Sequence, residues 1–245
     1  MTGWPNRSGR PWVYGHRGVR DSFPENTILA FEQSLKLGAD GIEFDVQICK
    51  DGTLVVFHDS TLERMTGGKD RRPIADTVGS ELCRVQLGQG ATIPQFNDVL
   101  NWACSRQLYL NIELKTNGGN ALELVSSVEI EIAESASPSL QARLLISSFD
   151  AGVISLANSH NWAWPFARLL GPDDQDQIHR EDLARCGLHA HHSLVESLEL
   201  ARWTNAGKFI NVWTVNTSSR ARQLSSLTID GIITDCPALV RSALE

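Results

Sequence analysis

The sequence predicts an α/β fold of the TIM-barrel type, a (β/α)8 barrel with a small insertion after the second strand. Three observations lead there. The chain has 245 residues, close to the ~250 of such a barrel, which leaves about 31 for each of eight units. Short β-rich runs alternate with amphipathic segments along most of it, the pattern of a parallel sheet with crossover helices. Ionisable residues gather at the C-terminal ends of the β-rich runs, the face on which such barrels assemble their active sites.

Residues 12–14 form the expected first strand, running into Gly15-His16-Arg17-Gly18. Asn26-Thr27 can cap a helix whose Ile28, Phe31 and Leu35 recur at helical spacing, and Gly38 ends it. Residues 41–48 make the second strand, with a companion at 54–57 after the Asp51-Gly52 turn. Residues 59–92 show no period and hold Gly67-Gly68, Arg71-Arg72-Pro73 and Gly88-Gln89-Gly90, so they read as an insertion carried on a loop. Ile93-Pro94 is expected to open a helix through Val99, Leu100, Ala103 and Cys104. Further strands are expected at 108–114, 144–147, 166–170, 188–191, 209–215 and 231–234, with helices between them, including 121–133, and a last one at 237–244. No linker or repeat divides the chain, so one domain over 1–245 is expected, its insertion at about 59–92.

A composition 42% hydrophobic and 21% charged excludes a wholly disordered chain, and a net charge of −7 argues against a nucleic-acid partner. An anionic small molecule stays open, because a local site can oppose the global sign. The polar stretch 1–11 lacks the apolar run of a signal peptide, and no run approaches the ~20 residues of a transmembrane helix. The five cysteines, at 49, 83, 104, 186 and 236, contain no Cys-x-x-Cys pair and read as reduced thiols. A cytoplasmic protein without stable membrane attachment is the resulting expectation.

Glu43 and Asp45 are two apart, so in a strand both point to one side while Ile42, Phe44 and Val46 take the other. Glu113 sits likewise between Ile112 and Leu114. Three carboxylates aimed inward from neighbouring strands repel unless protonated or bound to a cation, and hard oxygen ligands suit Mg2+ or Ca2+. His16 and His58 follow strands and can divide proton acceptance and donation between them. Arg17 can grip two phosphate oxygens in a planar fork, and Lys115 adds a point charge. Each histidine alone would be an unremarkable half-buried ring, which is how His160, His179, His189, His191 and His192 read. Glu25 and Asn26 fit either a helix cap or the orientation of the Arg17 loop.

These residues resemble the glycerophosphodiester phosphodiesterase family. The similarity runs in order through Gly15-His16-Arg17-Gly18, Glu25-Asn26-Thr27, Glu43-Phe44-Asp45-Val46, the stretch from Asp51 to Asp59, Asn111-Ile112-Glu113-Leu114-Lys115, Trp213-Thr214-Val215-Asn216 and the stretch from Asp230 to Asp235. The resemblance implies a barrel that hydrolyses glycerophosphodiesters to sn-glycerol 3-phosphate and an alcohol with a divalent cation. It implies Glu43, Asp45 and Glu113 as metal ligands, His16 and His58 as the acid/base pair, and Arg17 and Lys115 as phosphate contacts. Trp213 fits either an apolar wall for the glycerol or plain barrel filling. Val85-Gln86-Leu87-Gly88 and Ile93-Pro94-Gln95-Phe96 depart from the usual Leu-Asp-x-Gly and Ile-Pro-Thr-Leu, which bears on head-group preference. Rival readings are a lysophospholipase D-like or phosphatidylinositol-type phosphodiesterase on the same scaffold, and a barrel that binds glycerol phosphates without turnover.

Overall fold

The computed structural model describes residues 9–174, 186–195 and 197–245; the start of the N-terminal stretch, residues 1–8, and His179 lie outside the described residues. Its strands are β1 (Trp12–His16), β2 (Gly41–Ile48), β3 (Leu54–Val56), β4 (Gln86–Gly88), β5 (Ala91–Thr92), β6 (Tyr109–Leu114), β7 (Leu144–Ser148), β8 (Phe166–Leu170), β9 (Gly187–His191), β10 (Ile210–Trp213) and β11 (Gly231–Thr234). In parallel pairing the order runs β1, β2, β6, β7, β8, β9, β10, β11 and back to β1, which closes an eight-stranded barrel. The closing seam pairs Gly15 with Thr234, and β2 sets Asp45 opposite Glu113. No helix among the described residues is long and apolar enough to cross a membrane.

The helices are α1 (Ile28–Lys36), α2 (Gly79–Leu82), α3 (Phe96–Cys104), α4 (Ala121–Ser135), α5 (Pro138–Gln141), α6 (Ala151–Ser159), α7 (Ser197–Asn205), α8 (Ser218–Ser225) and α9 (Pro237–Leu244). Thr27 caps α1, its side chain accepting from the Ala30 amide at 3.2 Å. The expected helix start at Ile93 is corrected: the Pro94 carbonyl accepts from the Val56 amide at 3.0 Å and Gln95 bridges Val55, so the segment lies extended along β3. The helix begins at Phe96 instead, where Gln95 and Asp98 form a capping box.

The alternation in β2 and β6 is realised. Ile42, Phe44, Val46, Ile112 and Leu114 face outward and pack with Phe31, Phe96, Leu100 and Val128 in one buried cluster. Inside, Tyr14 packs with Leu145 and Ile233. Its ring fits because β2 and β11 present glycine there: a Cβ on Gly41 or on Gly231 would stand 2.9 Å from a Tyr14 ring carbon. The interior also holds buried Asn111, Ser147, His189 and Asn211. The His189 ring meets an Asn111 amide at 3.4 Å and an Asn211 amide at 3.0 Å, and burial pushes its pKa down to about 3.

The insertion is more than a loop. It contains α2 and the β4–β5 ribbon, and Leu62, Ile74 and Leu82 join Cys49, Val55, Phe57 and Ile93 in a small core of their own. Helical or strand periodicity could not reveal this lobe, because its apolar residues are spaced irregularly around turns. β3 attaches it to the barrel by pairing antiparallel with the outer half of β2, and the pairing continues to Phe57, whose amide donates to the Asp45 carbonyl at 3.0 Å. That last bond delivers His58 to the rim beside the end of β1.

Candidate active site

Strand geometry brings the expected residues together at the C-terminal mouth of the barrel. A cavity of about 340 Å3 is lined by His16, Arg17, Glu43, His58, Glu113 and Lys115 on one side and by Phe149, Leu169, Trp213 and Ile233 on the other. Asp45 lies beneath it, fully buried. Trp213 is fixed by an indole N–H donated to the His189 carbonyl at 2.9 Å, and its ring meets Phe149 edge-on at 5.5 Å. It is half-buried, so it forms a cavity wall as well as filling the barrel top.

Oxygens of Glu43, Asp45 and Glu113 all lie within 4.8 Å of one another. Two oxygens on one hard divalent cation, at about 2.0–2.6 Å each, lie at most about 5 Å apart, so the triad matches a cation in size. The electrostatics agree. Burial, then the charges of Asp45 and Glu113, hold the Glu43 carboxyl well above its ordinary range. Burial and Asp45 push Glu113 up to about 7. Burial also works against ionised Asp45, but Arg17, Lys115, His58 and an Asn26 hydrogen bond keep it below the usual range. The buried Asp45 Oδ1 has no hydrogen-bond partner, a costly state for a carboxylate oxygen unless a ligand completes it. The donor set therefore fits a divalent cation.

Arg17 stands over the triad on a backbone with φ of 53°, in the left-handed region that a residue with a side chain rarely enters. The cost, about 1 to 2 kcal/mol, is offset locally. The Arg17 amide donates to the Glu43 carbonyl at 2.8 Å and to Glu43 Oε2 at 3.1 Å, and its carbonyl accepts from the Asn26 amide at 3.0 Å. Asn26, also left-handed at 57°, donates through Nδ2 to Asp45 at 2.8 Å and accepts from the Asp45 amide at 3.3 Å. Glu25 accepts from Arg17 at 3.0 Å. Thr27 is thus the helix cap, while Glu25 and Asn26 orient the Arg17 loop and the triad. Lys115 donates to Glu113 at 3.1 Å and lies 3.8 Å from Asp45.

Each imidazole has an aspartate on Nδ1. His16 meets Asp235 at 2.6 Å, and Asp235 also accepts from the Asn216 amide at 2.6 Å. His58 meets Asp59 at 2.7 Å. Asp59 in turn accepts from Arg64 at 2.6 Å, and Arg64 donates to Glu25 at 2.6 Å. A chain of charged contacts, His58 to Asp59 to Arg64 to Glu25 to Arg17, therefore links one imidazole to the arginine over the triad. Burial, with Arg17 and Lys115 nearby, holds the His58 pKa below its ordinary value against the pull of Asp45 and Asp59. With Nδ1 occupied, Nε2 is the nitrogen each ring offers to the cavity.

Asp235, Asp59 and Arg64 were not singled out by the sequence. Asp235 and Asp59 carried a signal, each closing a motif directly after a strand or a histidine; Arg64 carried none. His160 lies away from the cavity on Glu129 at 3.0 Å, and His191 and His192 stack on each other at 4.4 Å near Trp213.

Comparison with known proteins points the same way. Residues 16–239 match the glycerophosphoryl diester phosphodiesterase family. A glycerophosphodiester phosphodiesterase of Bacillus altitudinis is 31% identical over 241 residues, which cover 92% of this chain and 94% of that one. Among solved structures, an Oleispira antarctica phosphodiesterase in complex with the product sn-glycerol-3-phosphate superposes with a TM-score of 0.84 at 27% identity, covering 96% of this chain and 97% of the other. A glycerophosphodiester phosphodiesterase of Thermotoga maritima does so with a TM-score of 0.76 at 30% identity, over 95% and 97%.

Proposed function

Because the chain belongs to the glycerophosphoryl diester phosphodiesterase family, and is by that membership a phosphoric diester hydrolase, we propose that it cleaves glycerophosphodiesters, such as glycerophosphocholine or glycerophosphoethanolamine, to sn-glycerol 3-phosphate and an alcohol. The observation that carries this reading is the pairing of two imidazoles, each oriented by an aspartate, around one cavity floored by three buried carboxylates. A binder that never turns over its ligand has no use for two oriented imidazoles. The Oleispira relative's sn-glycerol-3-phosphate supports the same product here.

Glu43, Asp45 and Glu113 would hold the cation, Mg2+ or Ca2+, whose charge offsets that of the phosphate oxygens when bound. Arg17 and Lys115 face the same space and grip the non-bridging oxygens as negative charge develops on them. His16 takes the proton from the attacking oxygen at Nε2, whether that oxygen belongs to water or to the glycerol 2-hydroxyl. The phosphorus–oxygen bond to the alcohol breaks as His58, in its imidazolium form with Nδ1–H on Asp59, gives its Nε2 proton to the departing oxygen. Attack by water yields sn-glycerol 3-phosphate directly, and attack by the 2-hydroxyl yields a cyclic phosphate that water then opens. Trp213, with Phe149, Leu169 and Ile233, lines the side of the cavity that receives the glycerol carbons.

The test is release of sn-glycerol 3-phosphate from glycerophosphocholine, glycerophosphoethanolamine and glycerophosphoglycerol, with and without a chelator. Turnover lost on chelation and restored by Mg2+ or Ca2+ is expected; no product from any diester, or indifference to chelation, defeats the reading. Phe149, 39% exposed at the rim, favours a second reading in which an acylated glycerol lays its chain across that ring. A lysophospholipid belongs in the same panel for that reason.

A further inference from the structure

A second groove of about 510 Å3 adjoins the cavity and shares His58 and Lys115 with it. The lobe's Ser60, Thr61, Glu63 and Arg64 form one wall, and Asn117, on the loop after β6, belongs to the other. Gln47 ties the walls together: its Nε2 donates to the carbonyls of Phe57 at 2.6 Å and Asp59 at 2.9 Å, and its Oε1 accepts from the Asn117 amide. The groove is thus braced across its base by a side chain that is itself buried.

We propose that this groove binds the leaving alcohol and selects an uncharged polyhydroxy alcohol of the glycerol type over choline. This rests on the phosphodiesterase reading above. A proton donor must touch the oxygen it protonates, and His58 is the imidazole common to both spaces, so the departing alcohol extends into the groove while the glycerol phosphate stays in the cavity. The groove's chemistry then decides which alcohol fits. Its lining contains no Trp, Tyr or Phe, hence no aromatic face for a quaternary ammonium. Its two carboxylates already face guanidinium groups, Asp59 on Arg64 at 2.6 Å and Glu63 on Arg71 at 3.0 Å. Arg64 and Lys115 are themselves paired, on Asp59 and Glu113, so the groove offers a cationic head group no unpaired carboxylate. The hydroxyls of Ser60 and Thr61, by contrast, have no partner among the described residues and can exchange hydrogen bonds with a diol.

The experiment compares kcat/KM of the Mg2+-supplied protein on glycerophosphoglycerol, glycerophosphocholine and the methyl ester of sn-glycerol 3-phosphate, whose methanol does not reach the groove. Glycerophosphoglycerol is expected to exceed glycerophosphocholine roughly fivefold to tenfold, the size of one or two hydrogen bonds. Ser60→Trp, which fills the groove, is expected to lower kcat/KM for glycerophosphoglycerol far more than for the methyl ester. Thr61→Val removes one hydroxyl without changing the volume and serves should the first variant fail to fold, with a loss of about threefold confined to glycerophosphoglycerol. Glycerophosphocholine turned over as well as or better than glycerophosphoglycerol overturns the proposal, and so does equal loss on all three substrates in the variants. If none of the three yields sn-glycerol 3-phosphate, the phosphodiesterase reading itself has failed, a separate outcome.

Discussion

His16 and Asp235 stand 219 positions apart in the chain, yet Nδ1 of one lies 2.6 Å from Oδ1 of the other. Barrel closure is the cause. With Gly15 set opposite Thr234 across the seam of β1 and β11, the next residue on each strand meets its counterpart at the rim. The bond fixes the ring's tautomer and, in the proposed reaction, would hold a negative charge against the imidazolium formed when Nε2 takes a proton.

Asp235→Asn should therefore lower kcat on the order of a hundredfold with little change in KM. Steady-state kinetics on one glycerophosphodiester reads the split. A KM rise with unchanged kcat would show that Asp235 only shapes the cavity.

His16→Ala and His58→Ala should each cost about 10² to 10⁴ in kcat. The two groups act on one transition state, so the double variant should lose much less than the product of the single losses. Full multiplicative loss in single-turnover measurements would separate the two rings into independent roles.

Arg64→Ala should reduce kcat roughly threefold to tenfold, because it frees both Asp59 behind His58 and Glu25 behind Arg17. The side chain is half exposed, so the melting temperature should move little. Arg64→Lys, with one donor centre in place of a fork, should recover only part of the rate. Wild-type turnover in Arg64→Ala would remove that chain of contacts from the mechanism.

Mg2+ or Ca2+ should raise the melting temperature of the wild-type protein in proportion to the logarithm of its concentration, by linkage worth about 2.7 kcal/mol at a hundred times Kd. Asp45→Asn removes one charge of the triad and should abolish that rise. Differential scanning calorimetry checks both, and a cation-dependent shift that survives in the variant places the cation elsewhere.

Acid should destabilise the fold through His189. Folded His189 stays neutral down to about pH 3, while the unfolded chain takes up a proton near the ordinary 6.5. The unfolded state therefore binds more protons between those values, and stability falls as pH falls through that window, by up to about 1.4 kcal/mol per pH unit. Above pH 7 the residue is neutral in both states and contributes no slope. His189→Gln should flatten the dependence by up to one proton in urea titrations at pH 7.5, 5.5 and 4.5; an unchanged slope would show that His189 is protonated in the fold.

Much of this architecture is legible in the residues themselves. Period-two alternation around Glu43, Asp45 and Glu113 suffices to aim three carboxylates inward, because a strand leaves a side chain only two directions. His16 and His58 follow from their places after strands. What escapes the sequence depends on contacts between distant segments. The partnership of Asp235 with His16 exists only once the barrel closes, and Arg64 acquires its role only when the lobe folds over the Arg17 loop. Ile93-Pro94 reads as a helix start by composition, yet the free edge of β3 claims the backbone of that segment first. The lobe's core was hidden for a related reason: Leu62, Ile74 and Leu82 are too far apart to show a period and converge only around turns.

The small separate core of the lobe also bears on how such proteins diverge. The residues proposed to handle the phosphate belong to the barrel wall, whereas His58, Asp59, Arg64 and most of the proposed alcohol groove belong to a segment that packs largely on itself. Substitutions on the groove wall of that segment can alter the fit of the alcohol without touching the inward carboxylates of β2 and β6. Preference for the leaving group and competence for the reaction thereby become separable by substitution.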